Sequence, residues 1–333
     1  MKKTSIKDIA RLSGVSVATV SRVINNNGRF SEETRQKVLQ VIEETGYQMN
    51  FSAKSLRMNK SFSVGILVPD ISNHFFADVV QKIEEILFEK GYSTIICNTA
   101  RNFEKEQAYL KMLESKTVDG LIVISGADEF GLHLNDTEKA TPYICIDREP
   151  KERDKTIFIS SNHYQGAFEA TEELLQNGVK TPVIVMHKRI SSSSKERLKG
   201  FRDALKKNSI FEENILKLDL QAEDSGVRIE QYFKQHTEVD GVFAINDSIA
   251  MELLLALPRI GKQVPEDVKI VGFDDTPQAR ISHPTLSSVR QNSDLLAELA
   301  VENLLEIMNN PAFPKGLEKI VPVELVIRAS SRM

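Results

Sequence analysis

The chain has little of what an exported, membrane-spanning or metal-holding protein needs. Its 333 residues include two cysteines, Cys97 and Cys145. Each sits inside an apolar run, Thr94-Ile95-Ile96-Cys97 and Tyr143-Ile144-Cys145-Ile146. Both read as small buried residues in a reducing cytosol, not as a disulfide or a metal pair. No charge-free apolar run is long enough to cross a bilayer, and Met1-Lys2-Lys3-Thr4 leads into a helix pattern with no signal-peptide core. A cytoplasmic location without a membrane partner is the expectation.

Signatures of catalysis are also missing. There is no G-x-x-x-x-G-K-S/T loop, no G-x-G-x-x-G turn after a strand and no H-E-x-x-H helix. The serine run at 191–194 has no evident His and Asp partnership at a nucleophile elbow. A phosphate-binding enzyme is the obvious rival for an α/β chain of this size, and these absences count against it; no enzyme activity, cofactor or metal is expected. No leucine heptads precede Met333, so an added tetramer-forming coil is not expected either.

What is present is segregated charge. Residues 1–60 hold eleven Lys and Arg against five Asp and Glu, a net of +6, while the whole chain is −4 and the remainder about −10. A basic module on an acidic body suits phosphate neutralisation without smearing the body along nucleic acid. With 41% apolar residues the chain is long enough for a small module plus one large or two medium domains.

Within the basic module, Ser5 and Asp8 have capping-box spacing, with Asp in place of the usual Glu, and Ile6, Ile9, Ala10 and Leu12 supply an apolar side. Gly14-Val15 ends that helix. Ser16 then caps a second helix in which Val20, Val23 and Ile24 recur at helical spacing, leaving Val17, Ala18, Ser21, Arg22 and Asn25 on the other face. Two short amphipathic helices joined at a glycine form the helix-turn-helix pattern, although plain helical hairpins share it. Arg22 is the candidate for bidentate reading of guanine, and Val17 and Ala18 for apolar contact with a thymine methyl. A third helix from Ser31 to Thr45, with Thr34, Val38, Val41 and Ile42 on one face, closes the module at Gly46. From Asn50 to Asn59 the composition turns to Ser, Lys, Arg, Asn and Met around Leu56. That stretch reads either as a flexible linker or as a short helix formed only on DNA.

After Lys60 the pattern changes to strand–helix units. Ser63 to Val68 is a strand buried on both faces, followed by a helix from Phe75 to Lys90; strands at Ser93–Asn98, Gly120–Ser125 and Tyr143–Asp147 alternate with helical stretches at Glu104–Leu113 and, more weakly, Asp128–Lys139. A second series from Ser160 repeats the alternation, with strands at Pro182–Met186, Leu216–Leu220, Gly241–Ile245 and Lys269–Phe273. A late helix, Ser293–Met308, and a strand, Ile320–Ile327, follow. Two series of this kind predict two similar doubly wound parallel-sheet subdomains.

In open parallel sheets ligands sit beyond the carboxyl ends of the strands. Polar groups cluster there: Asp70 to Phe76, Asp147-Arg148, Asn246-Asp247 and Asp274-Asp275. A sugar needs carboxylate, amide and guanidinium partners plus an aromatic plate, which Asp274, Asn246, Arg197 and Asp147 with Phe75 or Phe76 provide. Asp247 and Asp275 serve equally as caps, either Phe equally as core, and His74 reads as a surface residue.

Ser5 to Arg22, the Ser31-Glu32-Glu33-Thr34-Arg35 helix start, Gly46-Tyr47 and Ser52 to Arg57 together resemble the lactose-repressor/galactose-repressor family of bacterial transcription regulators, in order and spacing and nearly end to end. The resemblance implies a helix-turn-helix DNA-binding domain (1–49), a hinge (50–60), and a periplasmic-binding-protein-like effector and dimerisation domain (61–333). The first subdomain of the latter spans about 61–159 plus 293–319, and the second about 160–292 plus 320–333. It implies DNA contacts from Ser5, Ser16, Val17, Ala18, Thr19, Ser21, Arg22, Asn25, Ser31 and Tyr47. In the hinge it implies contacts from Asn50, Ala53, Lys54 and Leu56, with the leucine wedged into a central minor-groove step of a palindromic operator and paired with its twin in a homodimer.

Positions matching Arg197, Asn246 and Asp274 contact the small-molecule effector in the family, and Phe75, Phe76, Asp147, Arg148 and Arg189 complete the expected site. Where relatives often have a Gly-rich turn, this chain has His187-Lys188-Arg189 leading into the serine run. Lys188, Arg189, Arg197 and Arg148 then suit a phosphorylated or acidic sugar, while a solvated connecting loop explains the same residues. The expected function is a repressor of a carbohydrate-utilisation operon. The rival within the family is a global carbon-catabolite regulator that uses a phosphorylated carrier protein as co-regulator.

Overall fold

The computed structural model describes residues 4–24, 27–47, 60–124, 141–219, 224–310 and 312–332. Asn25, the hinge residues Asn50, Ala53, Lys54 and Leu56, and the helical pattern expected between Asp128 and Lys139 lie outside the described residues. The chain divides into two compact units, Met1–Ser61 and Phe62–Met333.

In the first unit α1 (Ile6–Ser13), α2 (Val17–Ile24) and α3 (Glu32–Thr45) pack around Ile9, Ala10, Val20, Val23 and Val38. Both bonds of the Ser5–Asp8 capping box form, and Gly14 takes the left-handed φ of 70° that ends α1. Ser16 and Ser31 accept the N–H groups of Thr19 and Thr34 at 3.1 and 3.2 Å, which fixes the starts of α2 and α3. Leu12, expected on the apolar side, is 54% exposed. It lies roughly 100° around the helix from the Ile6–Ile9–Ala10 stripe.

The second unit holds two six-stranded sheets built to one plan. The first contains β1 (Ser63–Val68), β2 (Ser93–Asn98), β3 (Gly120–Ile124), β4 (Tyr143–Ile146), β5 (Ile157–Ser161) and β11 (Glu318–Val321), in the order β11-β5-β4-β3-β1-β2, parallel throughout. The second contains β6 (Pro182–His187), β7 (Asn214–Leu218), β8 (Gly241–Ala244), β9 (Lys269–Asp274), β10 (Ser287–Gln291) and β12 (Val323–Val326). Its order is β12-β10-β9-β8-β6-β7, with β12 alone antiparallel. Burial of Val64 to Val68 on both faces explains why β1 is apolar without alternation.

The chain passes between the halves three times: from β5 into the His163–Gln176 helix, from β10 into the Ser293–Asn309 helix, and at Pro322 between β11 and β12. Leu296, Ala300 and Leu304 of the Ser293–Asn309 helix share a core with Val79, Ile83 and Leu87 of the His74–Glu89 helix, so this late helix belongs to the first half. The single strand predicted over Ile320–Ile327 is two strands. Ile320 and Val321 pair with Ser160 and Ser161 in the first sheet. Pro322 has no N–H for a continuing ladder, and β12 restarts in the second sheet.

In the second half the His163–Gln176 and Ser192–Lys207 helices cross at Gly200, where an added Cβ would lie 2.3 Å from the Tyr164 carbonyl oxygen. Only a residue without a side chain permits this approach, which sets where the Ser192–Lys207 helix delivers Arg197.

Candidate nucleic-acid interface and ligand cleft

On the first unit, Ser16, Val17, Ala18 and Arg22 are exposed together along the start and outer face of α2, with Thr19 and Ser21 partly exposed beside them. Ser5 and Ser31 are exposed but also cap α1 and α3. Tyr47 is half-buried against the small core. The face therefore offers one long guanidinium, short hydroxyls and two small apolar groups, with no bulky side chain of its own. Gly28, at φ 94°, lies where an added Cβ would sit 3.4 Å from Arg22 Cδ, so the backbone there runs close under the arginine stem.

In the second unit the strand ends converge on a cleft between the two sheets. Asp147 directly follows β4 with a left-handed φ of 53°. It accepts Ser160 Oγ at 2.9 Å and the Ser161 N–H at 3.0 Å, and lies 2.9 Å from His163 Nε2. Burial opposes its ionisation, but His163, the Ser161 N–H and Arg197 outweigh it and hold the carboxyl below its ordinary range. His163 Nδ1 accepts from Arg197 Nε at 3.3 Å. Burial first, and the Arg197 charge with it, push the imidazole pKa down against the pull of Asp147. With Nδ1 accepting from Arg197, the ring carries its proton on Nε2, the Asp147 side.

Arg197 donates to the Ile245 carbonyl, stacks 3.6 Å from the Phe273 ring centroid and lies 3.6 Å from Asp274 Oδ1. Gln291 Nε2 donates to Asp274 at 2.7 Å. Burial raises the Asp274 pKa to about 7, with Arg197 opposing and Asp247 adding to the rise. Asn246 caps the Asp247–Ala256 helix through the Ile249 N–H, and its amide donates to His187 Nε2 at 3.2 Å. Burial, then Arg101 and Arg197, hold His187 down at about 4.

Asp147, His187, Arg197, Asn246 and Asp274 line an inner chamber of about 40 Å³ with Phe75, Phe76, Arg101 and Arg189, while His163 and Gln291 stand behind it. Outside it lies a compartment of about 650 Å³ that shares Asn73, Arg101, His187, Arg189 and Asn246 with it. Phe75 is both core and wall; Phe76 is half-buried, with the Arg101 guanidinium 5.8 Å from its ring centroid. Arg189 reaches across the cleft from the second half to the Arg101 carbonyl.

Of the predicted cleft residues, Phe75, Phe76, Asp147, Arg189, Arg197, Asn246 and Asp274 come together. Arg148 does not line the chamber. Its guanidinium forms a buried, bidentate pair with Glu106 at 2.6 and 3.2 Å. The left-handed turn at Asp147 aims the carboxylate at the cleft and sends the next side chain toward the Phe103–Ser115 helix. Asp247 and Asp275 are anchors: Asp247 binds Ser288 and Thr276, and Asp275 is held by Arg290 and Arg328. Gly272 makes room for Asp247, since a Cβ there would meet its Oδ1 at 2.4 Å. Sequence reasoning missed His163, His187, Gln291 and Arg101. Gln291 and His187 do end strands, so the strand-end rule reaches them once β10 and the last residue of β6 are known.

A basic helix-turn-helix module followed by twin parallel sheets around a polar cleft defines a DNA-binding transcription regulator with a periplasmic-binding-protein-like domain. The chain belongs to the lacI family. Residues 5–50 match the family described as bacterial regulatory proteins, lacI family, and residues 171–331 match a periplasmic binding protein-like domain. It is 34% identical over 329 residues to the HTH-type transcriptional repressor PurR of Photobacterium profundum, covering 98% of each chain. It is 31% identical over 330 residues to the ribose operon repressor of Halalkalibacterium halodurans, covering 99% of this chain and 97% of that one. Among solved structures, the lac repressor dimer bound to operator and the anti-inducer ONPF shares the fold, with a TM-score of 0.84 at 24% identity over the whole of both chains. A LacI family regulator from Enterococcus faecium with bound ribose superposes with a TM-score of 0.73 at 28% identity, covering 81% of this chain and 98% of that one.

Proposed function

We propose that this protein is a dimeric repressor of a carbohydrate-utilisation operon, released from an inverted-repeat operator by a sugar of the pentose class. The observation that carries the effector half is the buried chain Asp147–His163–Arg197–Asp274, in which two carboxyl groups and one guanidinium are held in place by Ser160, His163 and Gln291. A free anion placed against Asp147 is repelled. A neutral polyol donates to the carboxylates and accepts from Arg197 and Asn246 while its C–H face lies on Phe76. The ribose operon repressor and the ribose-bound regulator among the relatives support the same class.

On the DNA side, two α2 helices about one helical turn apart fit successive major grooves, with Leu56 of each hinge at the central step. The sugar acts only through differential affinity for the open and closed arrangements of the halves. The test is fluorescence anisotropy on an inverted-repeat operator selected from random DNA, titrated with neutral pentoses, hexoses, disaccharides and nucleobases. Release by one pentose is expected, and release by none of the sugars refutes the reading. Replacing Arg22 by Ala costs about 1–3 kcal/mol and relaxes one operator position. A uniform loss across a base-substitution panel refutes its assignment to guanine.

A further inference from the structure

His187 ends β6, is half-buried, and lines both compartments of the cleft. Its tautomer is set by a relay that starts at a helix end. The Ile249 N–H is one of the first donors of the Asp247–Ala256 helix and needs an acceptor, so the Asn246 amide turns its oxygen there, at 3.0 Å. The atom 3.2 Å from His187 Nε2 is therefore the Asn246 nitrogen. An amide nitrogen only donates, so Nε2 accepts, and the single proton of the neutral ring sits on Nδ1. Burial first, then Arg101 and Arg197, keep the ring neutral at ordinary pH against the pull of Asp219 and Asp70. Among the described residues Nδ1 has no hydrogen-bond partner. Moving the proton to Nε2 would set two N–H groups against each other at Asn246, so the ring cannot exchange its donor for an acceptor.

We infer that His187 is a specificity-determining donor for the effector: its Nδ1–H meets a hydroxyl or ring oxygen of the sugar and rejects a protonated amino group at that place. The inference rests on the sugar reading above and narrows it to a ligand that presents a lone pair beside the end of β6. A hydroxyl fits both sides of the chamber, since its oxygen can accept from His187 while its own proton goes to an acceptor such as Asp147. An ammonium brings only hydrogens, and leaves the Nδ1–H removed from water without a partner. That loss exceeds what a correct neutral pair gains, so the discrimination comes chiefly from the wrong ligand.

The test is isothermal titration of the full-length protein at about pH 6, where an amino sugar is protonated. D-ribose and D-xylulose are titrated first, then each monodeoxy and amino-deoxy derivative of the one that binds, for wild type, His187→Leu and His187→Gln. His187→Leu is expected to bind the parent sugar about tenfold more weakly, yet to bind one monodeoxy sugar as wild type does, because that sugar lacks the oxygen His187 meets. His187→Gln can accept from Asn246 and donate to the ligand at once, and is expected to recover most of that loss. In wild type the amino-deoxy sugar at the same position is expected to bind more weakly than the deoxy sugar. Unchanged affinity in His187→Leu overturns the donor role, and so does an equal loss on the parent and on every deoxy sugar. Amino-deoxy sugars that all bind wild type as tightly as the parent overturn it without any variant. Failure of both pentoses to bind overturns the pentose reading, and this inference with it.

Discussion

Replacing Arg197 by Met removes the cation of the buried Asp147–His163–Arg197–Asp274 chain while keeping a flexible apolar stem over Phe273. Asp274 then loses its ion-pair partner, His163 loses its donor, and the Ile245 carbonyl loses a hydrogen bond. Breaking a buried pair by deleting one member costs about 3–5 kcal/mol. The loss depends on pH in a defined direction. Asp274 has a folded pKa of about 7 against an ordinary 3.8, so between those values the folded state holds a proton that the unfolded state lacks. Wild-type stability from this group therefore falls as pH rises to about 7 and then levels.

Without Arg197 to oppose it, the Asp274 pKa moves higher, and the variant goes on losing stability up to pH 8. The destabilisation at pH 8 should therefore exceed that at pH 6, by an amount on the order of 1 kcal/mol. His163 acts in the same direction, because loss of the Arg197 charge relieves the depression of its pKa and makes the variant's deficit smaller at pH 6. Urea unfolding followed by far-UV circular dichroism at pH 6, 7 and 8 measures this in a chain without tryptophan. Equal destabilisation at the three pH values, or a loss below about 1 kcal/mol, would refute the reasoning.

Gly200→Ala places a methyl against backbone on two sides, the Tyr164 oxygen at 2.3 Å and the Phe168 nitrogen at 2.9 Å, so the helices must separate. A loss of about 2–3 kcal/mol is expected, read as a lower urea midpoint at unchanged slope, and a wild-type midpoint rules it out. Glu106→Ala removes the carboxylate paired with the buried Arg148 guanidinium and should cost about 3 kcal/mol, whereas Glu106→Leu with Arg148→Met should recover most of that loss. Neither residue lines the inner chamber, so the double variant should keep wild-type sugar affinity in the anisotropy assay; a lost response would place Arg148 in the site after all.

The parts of this fold that sequence reading reaches are those whose signal is local. Ser5, Ser16 and Ser31 announce helix starts because a cap is a contact within four residues, and β1 and β4 are apolar because both their faces are covered. β5 and β10 escape because their buried positions include serines: Ser160 and Ser161 serve Asp147, while Ser287 and Ser288 bind Arg328 and Asp247. Polar residues satisfied by distant partners look like loop until those partners are placed. The same cause hides His163, whose value lies in joining Asp147 to Arg197. Asp147, Arg197, Asn246 and Asp274 were legible because they end strands or face them. Arg148 misled because adjacency in sequence does not carry through a left-handed turn.

The three passes between halves mean that neither half is a continuous piece of chain. The first half takes its Ser293–Asn309 helix and its edge strand β11 from near the end of the sequence, after the second half is largely complete. During synthesis the first half therefore waits, with the apolar face of β3, β4 and the His74–Glu89 helix uncovered, until residues beyond 293 emerge. A ribosome stalled before that point holds a nascent chain whose second half can close while the first half is still unroofed. Premature termination there should yield an aggregation-prone fragment, not a smaller working protein.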